Sequence, residues 1–283
     1  MKNNMERLVK ELQERFGEEY EVVSVKVPKN NEVLDGFQIS RKSTGFGITF
    51  YPDFEREPDN YADFWEPIIK KYFKKGLPVD LGEILKPGFI LSHLQMRLVS
   101  ISRNEELLKQ YKNVIVPELD LAILFNVNLN EEIDMLIPTK YKGLDVSDEE
   151  LYRKAYENDA DMGYKTMSLD EAANTNGEIE DDDIDDPWCM RVIRSAKGWN
   201  YGSSVLLHKD VLQKCADELG TSLILIPSSV RELIYIRDNA GERELDILQT
   251  GLLMGNMDIP DQYVLSSHLY RFDRDTQEVT IVR

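Results

Sequence analysis

Few residues in this chain combine the type and spacing that chemistry needs. His93, His208 and His268 stand singly, and none belongs to a His-Glu-x-x-His or His-x-Glu pattern that would set two zinc ligands on one helix face. Cys189 and Cys215 are the two cysteines, so Cys189 with His208 is the pair to weigh for thiol catalysis. Both cysteines read instead as structural, because Cys215 falls on the core face of an expected helix and Cys189 adjoins an expected strand. Asp181, Asp183 and Asp185 alternate as in a calcium loop, yet the sixth position is Asp186 where the turn needs glycine, and the twelfth is Val192 where a bidentate glutamate belongs. Gly45-Phe46-Gly47 runs into the strand pattern Ile48-Thr49-Phe50 and lacks the helix start and lysine-serine pair of a phosphate loop. No lysine follows Asp or Glu at a spacing of two, which removes the carboxylate-x-lysine arrangement of many metal-dependent nucleases. No metal and no cofactor is expected.

The most singular segment is Ile224-Leu225-Ile226-Pro227-Ser228-Ser229-Val230-Arg231-Glu232-Leu233-Ile234. An apolar strand that stops at Pro-Ser-Ser and is followed by one charge of each sign puts hydroxyls and ions at an element end, where sites are often built. Ser228, Ser229, Arg231 and Glu232 are therefore the candidate binding residues. Ser229 and Glu232 also have the spacing of a capping box, so a helical turn capped by its own side chains is the structural alternative.

Charge narrows the partners. Of 283 residues, 52 are acidic and 34 basic, for a net charge of −18, a balance that repels nucleic acid at long range. Lys70, Lys71, Lys74 and Lys75 form the exception and read as the wet face of an amphipathic helix. From Asp170 to Asp186 nine residues are acidic and none is basic, so this stretch carries half of the net charge and is expected to be a mobile loop or linker. Glu180, Asp181, Asp182, Asp183, Asp185 and Asp186 form its candidate interaction surface for a partner protein with a basic patch. The longest run without Asp, Glu, Lys or Arg, residues 219–230, falls short of the about 20 apolar residues a membrane span requires. With no apolar leader at the start and two cysteines, a cytoplasmic location is expected.

These residues must be positioned by the elements around them. Met5, Leu8, Val9, Leu12 and Phe16 predict an opening helix ending near Gly17. Strands are expected over 20–27, 36–41 and 46–51, the last two joined by Lys42-Ser43-Thr44-Gly45. Tyr61, Phe64, Trp65, Ile68, Ile69, Tyr72 and Phe73 then define one helix face. Further strands are expected over 96–102, 121–129 and 135–140, with a short helix over 104–111. Ser147 and Glu150 cap a helix over 148–160, and Ser168 with Glu171 repeats the signature. Beyond the acidic stretch, 190–194, 203–207, 222–226 and 233–237 read as strands, 209–219 and 243–253 as helices, and 269–273 with 279–282 as a final hairpin. Strands and helices mix without a βαβ rhythm, so the class is α+β, with mixed, largely antiparallel sheets packed against amphipathic helices. The divisions expected are an N-terminal module 1–90, a central segment 91–169, the acidic linker 170–187 and a C-terminal segment 188–283.

Pro227-Ser228-Ser229-Val230-Arg231-Glu232, with Asp120-Leu121-Ala122-Ile123-Leu124-Phe125, the helix from Leu151-Tyr152 to Asn158, and Leu265-Ser266 before Tyr270, resembles an uncharacterised family of unknown function found in Firmicutes and their mobile elements. The resemblance covers about Met96 to the C-terminus. In that family the position of Ser228 is commonly His and that of Ser203 commonly Ala. The resemblance implies a shared fold and no activity. The functional expectation is an acidic protein that binds another macromolecule, protein before nucleic acid, in a regulatory or defence-related role. A hydrolase or small-ligand enzyme with its site at Ser228, Ser229, Arg231 and Glu232, joined by His208 or His268, is the alternative.

Overall fold

The computed structural model describes residues 2–43, 47–75, 82, 86–129, 134–141, 143–173, 189–197 and 201–283, and the chain divides into two compact units, Met1–Glu83 and Ile84–Arg283. The architecture is α+β, with antiparallel sheets in both units.

In the first unit, α1 (Lys2–Phe16) and α2 (Tyr61–Lys75) pack with a three-stranded sheet of β1 (Tyr20–Lys29), β2 (Glu32–Arg41) and β3 (Gly47–Phe50) in the order β1-β2-β3. The β1–β2 hairpin is longer than its pattern suggests, because Asn30-Asn31 turns the chain and Asn31 takes the left-handed conformation (φ 62°) that asparagine tolerates. Met5, Leu8 and Leu12 on α1 meet Phe37, Ile39 and Phe50 of the sheet and Trp65 and Ile69 of α2 in one core. The α2 stripe is buried at Tyr61, Trp65 and Ile69 but open at Phe64 and Tyr72, since the small sheet and α1 cover one side of the helix and leave the edges of a seven-residue stripe wet.

The second unit holds two sheets. One runs β4 (Leu94–Ser100), β6 (Leu121–Asn128), β5 (Asn113–Val116), with β7 (Asp134–Leu136) also on β6. The other has six strands in the order β13-β12-β10-β11-β9-β8: β8 (Tyr164–Ser168), β9 (Arg191–Ser195), β10 (Leu223–Ser229), β11 (Glu232–Arg237), β12 (Tyr270–Phe272) and β13 (Val279–Ile281). Short helices α3 (Pro87–Ser92) and α4 (Glu105–Gln110) flank β4, and α5 (Asp148–Met162) packs on it. Ser147 caps α5 by accepting from the Glu150 N–H at 3.2 Å, and Ser168 caps α6 (Leu169–Ala172) by accepting from the Glu171 N–H at 3.0 Å, so the serine half of each predicted capping box forms. The helices α7 (Lys209–Leu219) and α8 (Glu242–Asp258) complete the unit.

One core, including Met96, Phe125, Leu151, Ile193, Leu225, Tyr235 and Phe272, joins residues of both sheets. Period-two alternation sends Leu223, Leu225, Leu233 and Tyr235 to this core and Ile224, Ile226, Ile234 and Ile236 to the opposite face, where Leu245, Leu248 and Leu252 of α8 meet them. Where the sequence suggested a break at 170–187, β8 and β9 pair across it from Tyr164↔Ser195 to Ser168↔Arg191, so its two sides share one sheet.

Three expected elements are corrected. Residues 203–207 form a 3₁₀ turn, Gly202–Leu207, and not a strand; it buries five consecutive residues, a pattern that periodicity cannot separate from a buried strand. β10 does not stop at Pro227 but continues to Ser229. The expected capped helical turn at Ser229–Glu232 is instead a tight hairpin turn into β11.

Candidate functional site

The hairpin that carries the four candidate residues owes its shape to Pro227. Proline has no N–H for the ladder, and the β10–β11 register shifts between Ile226 and Ser229, where pairing resumes as Ser229↔Glu232. The Ser229 hydroxyl oxygen then accepts from the Arg231 N–H at 3.1 Å and closes the turn. Ser203 of the 3₁₀ turn supports the hairpin by donating its hydroxyl to the Val230 carbonyl at 2.8 Å. Gly202 comes so close that a Cβ there would lie 2.3 Å from the Arg231 carbonyl oxygen, which explains why this position carries no side chain. On the other side the Val230 N–H donates to the Tyr263 carbonyl at 2.8 Å, and the Arg231 guanidinium stacks 4.4 Å from the Tyr263 ring centroid.

Ser228, Ser229, Arg231 and Glu232 all line one groove of about 1210 Å³ between α8 and the β8, β9, β10 and β11 strands. Met167, Ile226 and Ile234 contribute its apolar sheet side, and Ile247, Leu248 and Leu252 its helix side. Gly251 and Gly255 lie on the same wall, and a Cβ on either would meet nothing within 4 Å. Arg194 donates to the Ala172 carbonyl at 3.1 Å and pairs with Glu232 at 3.2 Å, while the Ser228 hydroxyl lies 3.4 Å from both the Glu232 carbonyl and its carboxylate. Glu171 and Asp258, also in the lining, make no ion pair among the described residues.

Among the described residues, the one hydroxyl near a carboxylate in the groove is that of Ser228, at 3.4 Å from Glu232. The groove's serines are engaged within the hairpin, and no histidine among the described residues lines it. His208 is 1% exposed, stacks on Tyr156 with ring centroids 4.2 Å apart, and neither ring nitrogen has a hydrogen-bond partner among the described residues, Cys189 included. Burial lowers its pKa to about 4. His268 sits with Nδ1 3.1 Å from the Arg283 carbonyl and Nε2 3.8 Å from Asp120, and His93 stacks on Phe89. Burial pushes the Cys215 thiol up to about 11, the opposite of what a reactive thiolate needs. Among the described residues no three His, Cys, Asp or Glu side chains gather as a metal site. The acidic candidates Glu180, Asp181, Asp182, Asp183, Asp185 and Asp186 lie outside the described residues.

A second polar cluster lies outside the residues that the sequence pattern singles out. Asp159 on α5 is 3% exposed, accepts weakly from the Met96 N–H at 3.4 Å, and faces Ser204, whose hydroxyl bonds Tyr164 at 2.8 Å. Burial raises the Asp159 carboxyl to about 7, against the opposing effect of the Ser204 and Met96 hydrogen bonds. Its spacing was the available signal: Leu151, Ala155 and Asp159 recur every four residues, which puts an acid on the buried stripe of α5.

The described residues contain no helix long and apolar enough to cross a membrane. Fold and groove together define an α+β protein with a lined cleft and no assembled catalytic group among the described residues. Residues 1–274 match a family of unknown function (DUF5688), and the chain belongs to that family. The match takes in the N-terminal unit, well before the Met96 start of the resemblance seen in the sequence. No curated protein and no solved structure matches the chain.

Proposed function

We propose that this chain is a binding protein and that the groove beside α8 receives a basic, amphipathic segment of another protein. The apolar strip of Met167, Ile226, Ile234 and Leu252 carries the proposal; the ionic lining is balanced, Lys165, Arg194 and Arg231 against Glu171, Glu232 and Asp258, so the sign of the partner rests on the charge of the whole chain. A net charge of −18 steers a basic partner toward the molecule, and the apolar strip gives it a place to bury side chains. Gly251 and Gly255 each weaken an exposed helix by roughly 1 kcal/mol relative to alanine, a cost that makes sense where another backbone must come close. A volume of about 1210 Å³ suits roughly three helical turns, taking a cylinder about 10 Å across and about 15 Å long. A regulatory or defence-related role in the cytoplasm of Firmicutes, or on their mobile elements, belongs to the same reading.

Selection from a displayed library of random helical peptides tests it. Enriched sequences should combine an apolar stripe with lysine and arginine, and Gly251→Trp, which fills the groove from an open helix face, should abolish their capture. Enrichment of acidic peptides, or capture unchanged by Gly251→Trp, would sink the proposal.

A further inference from the structure

Beside the six-stranded sheet, Asp159 and Gln95 line a small cavity of about 10 Å³, together with Met96, Met162, Tyr164, Ser195, Tyr201, Gly202 and Ser204. That is roughly the space of one water-sized guest. Most donors around it are engaged. The Gln95 amide gives one of its two N–H groups to the Met162 sulfur at 2.9 Å, Ser195 donates to the Lys197 carbonyl at 3.3 Å, and Tyr201 donates to Asp134 at 2.5 Å. Tyr164 and Ser204 share one hydrogen bond, and the Ser204 hydroxyl also serves Asp159. Acceptors remain. Gln95 is 7% exposed and, among the described residues, its buried Oε1 has no partner and no lysine or arginine lines the cavity to offset the Asp159 carboxylate.

A buried acceptor without a donor is costly, and a buried carboxylate without a counter-charge more so. A neutral water could satisfy the first need but not the second. We propose that this cavity is a binding site for one water-sized monovalent cation, potassium or ammonium, held by the Asp159 carboxylate and the Gln95 Oε1, with the Ser204 and Tyr164 oxygens completing the shell. The oxygen-only donor set suits a hard cation, and the single carboxylate suits a single charge. The cation would tie α5 to β4 through Asp159 and Gln95, and to the 3₁₀ turn that supports the candidate hairpin through Ser204.

Thermal unfolding of the full chain at about pH 8, in potassium, ammonium or tetramethylammonium chloride at equal ionic strength, reads this directly. Potassium or ammonium should raise Tm by about 2 to 4 °C over tetramethylammonium, which is too large to enter, and the rise should grow with the logarithm of concentration. Asp159→Asn and Gln95→Met should each remove the difference. Equal Tm values in the three salts would overturn the proposal and leave a water or a proton as the sole guest. Crystals grown with rubidium or thallium do not depend on how the variants fold. An anomalous peak between Asp159 and Gln95 supports the site, and its absence refutes it.

Discussion

The groove beside α8 and the cavity beneath α5 both contain carboxylates, and they handle them in opposite ways. Glu232 is about a third exposed, stands 3.2 Å from Arg194 and 3.4 Å from the Ser228 hydroxyl, and water finishes its solvation. Asp159 is buried, with no cationic side chain in its cavity among the described residues, and burial raises its carboxyl to about 7. Paired charges at a rim are inexpensive and can recognise a partner, whereas an uncompensated buried acid couples the fold to protons and ions. Polar residues alone thus do not define a functional kind; burial and pairing decide it.

The largest expected effect lies at Asp159. A carboxyl raised from 3.8 to about 7 keeps its proton in the folded chain and loses it in the unfolded one, so its contribution to stability falls as pH rises from about 4 to about 7. In a buffer free of small monovalent cations, Asp159→Asn should match wild type near pH 4 and exceed it by about 4 kcal/mol above pH 7 in denaturant titrations. His208 works with the reverse sign. Its folded pKa of about 4 lies below the ordinary 6.5, so the unfolded chain binds the extra proton and stability is lost as pH falls from about 6.5 to about 4. His208→Phe should keep the stacking on Tyr156 and gain about 3 kcal/mol over wild type at the acid end, with little change at pH 8. Parallel pH profiles for wild type and both variants would erase the contrast between buried and solvated groups.

Gly202→Ala should come next. Its methyl would press on the Arg231 carbonyl and on the Ser195 N–H, both backbone, and overpacking of that kind costs about 1 to 3 kcal/mol. Equilibrium unfolding checks the size. A neutral result would mean that the hairpin is free to move away from the 3₁₀ turn.

Ser229→Ala should have the smallest effect, about 1 kcal/mol, through loss of the bond to the Arg231 N–H. A loss above about 3 kcal/mol would show that the hairpin belongs with the tightly constrained cavity and not with the adaptable rim.

The legible part of the molecule follows from where signals are local. The capping serines Ser147 and Ser168 and the apolar face of α7 are written in adjacent residues and form as read. The four candidate residues do share one groove, because a hairpin turn keeps sequence neighbours together. β5 and β8 went unseen: each is short, and β8 is an edge strand whose place is fixed by β9, more than twenty residues away in the chain. The 3₁₀ turn reads as a strand in the sequence because its run of small and apolar residues is buried over Gly202–Leu206, which leaves no period to distinguish the two. Asp159 was visible as an acid on an apolar stripe, but its partners Gln95, Ser204 and Tyr164 come from separate elements, and no spacing announces them. The wall of the groove was hidden for the same reason, since α8 reaches β10 and β11 only through the tertiary fold.

Binding in the groove is the central claim, and one comparison tests it most directly: the affinity of a library-selected basic amphipathic peptide for wild type and for Gly251→Trp, measured by calorimetry beside the Tm of each. The indole would enter space where a Cβ meets nothing within 4 Å, so the expected result is an unchanged or raised Tm with affinity reduced at least about tenfold, a loss of about 1.4 kcal/mol or more. Equal affinities for the two proteins at equal Tm would contradict the account and move the binding surface elsewhere.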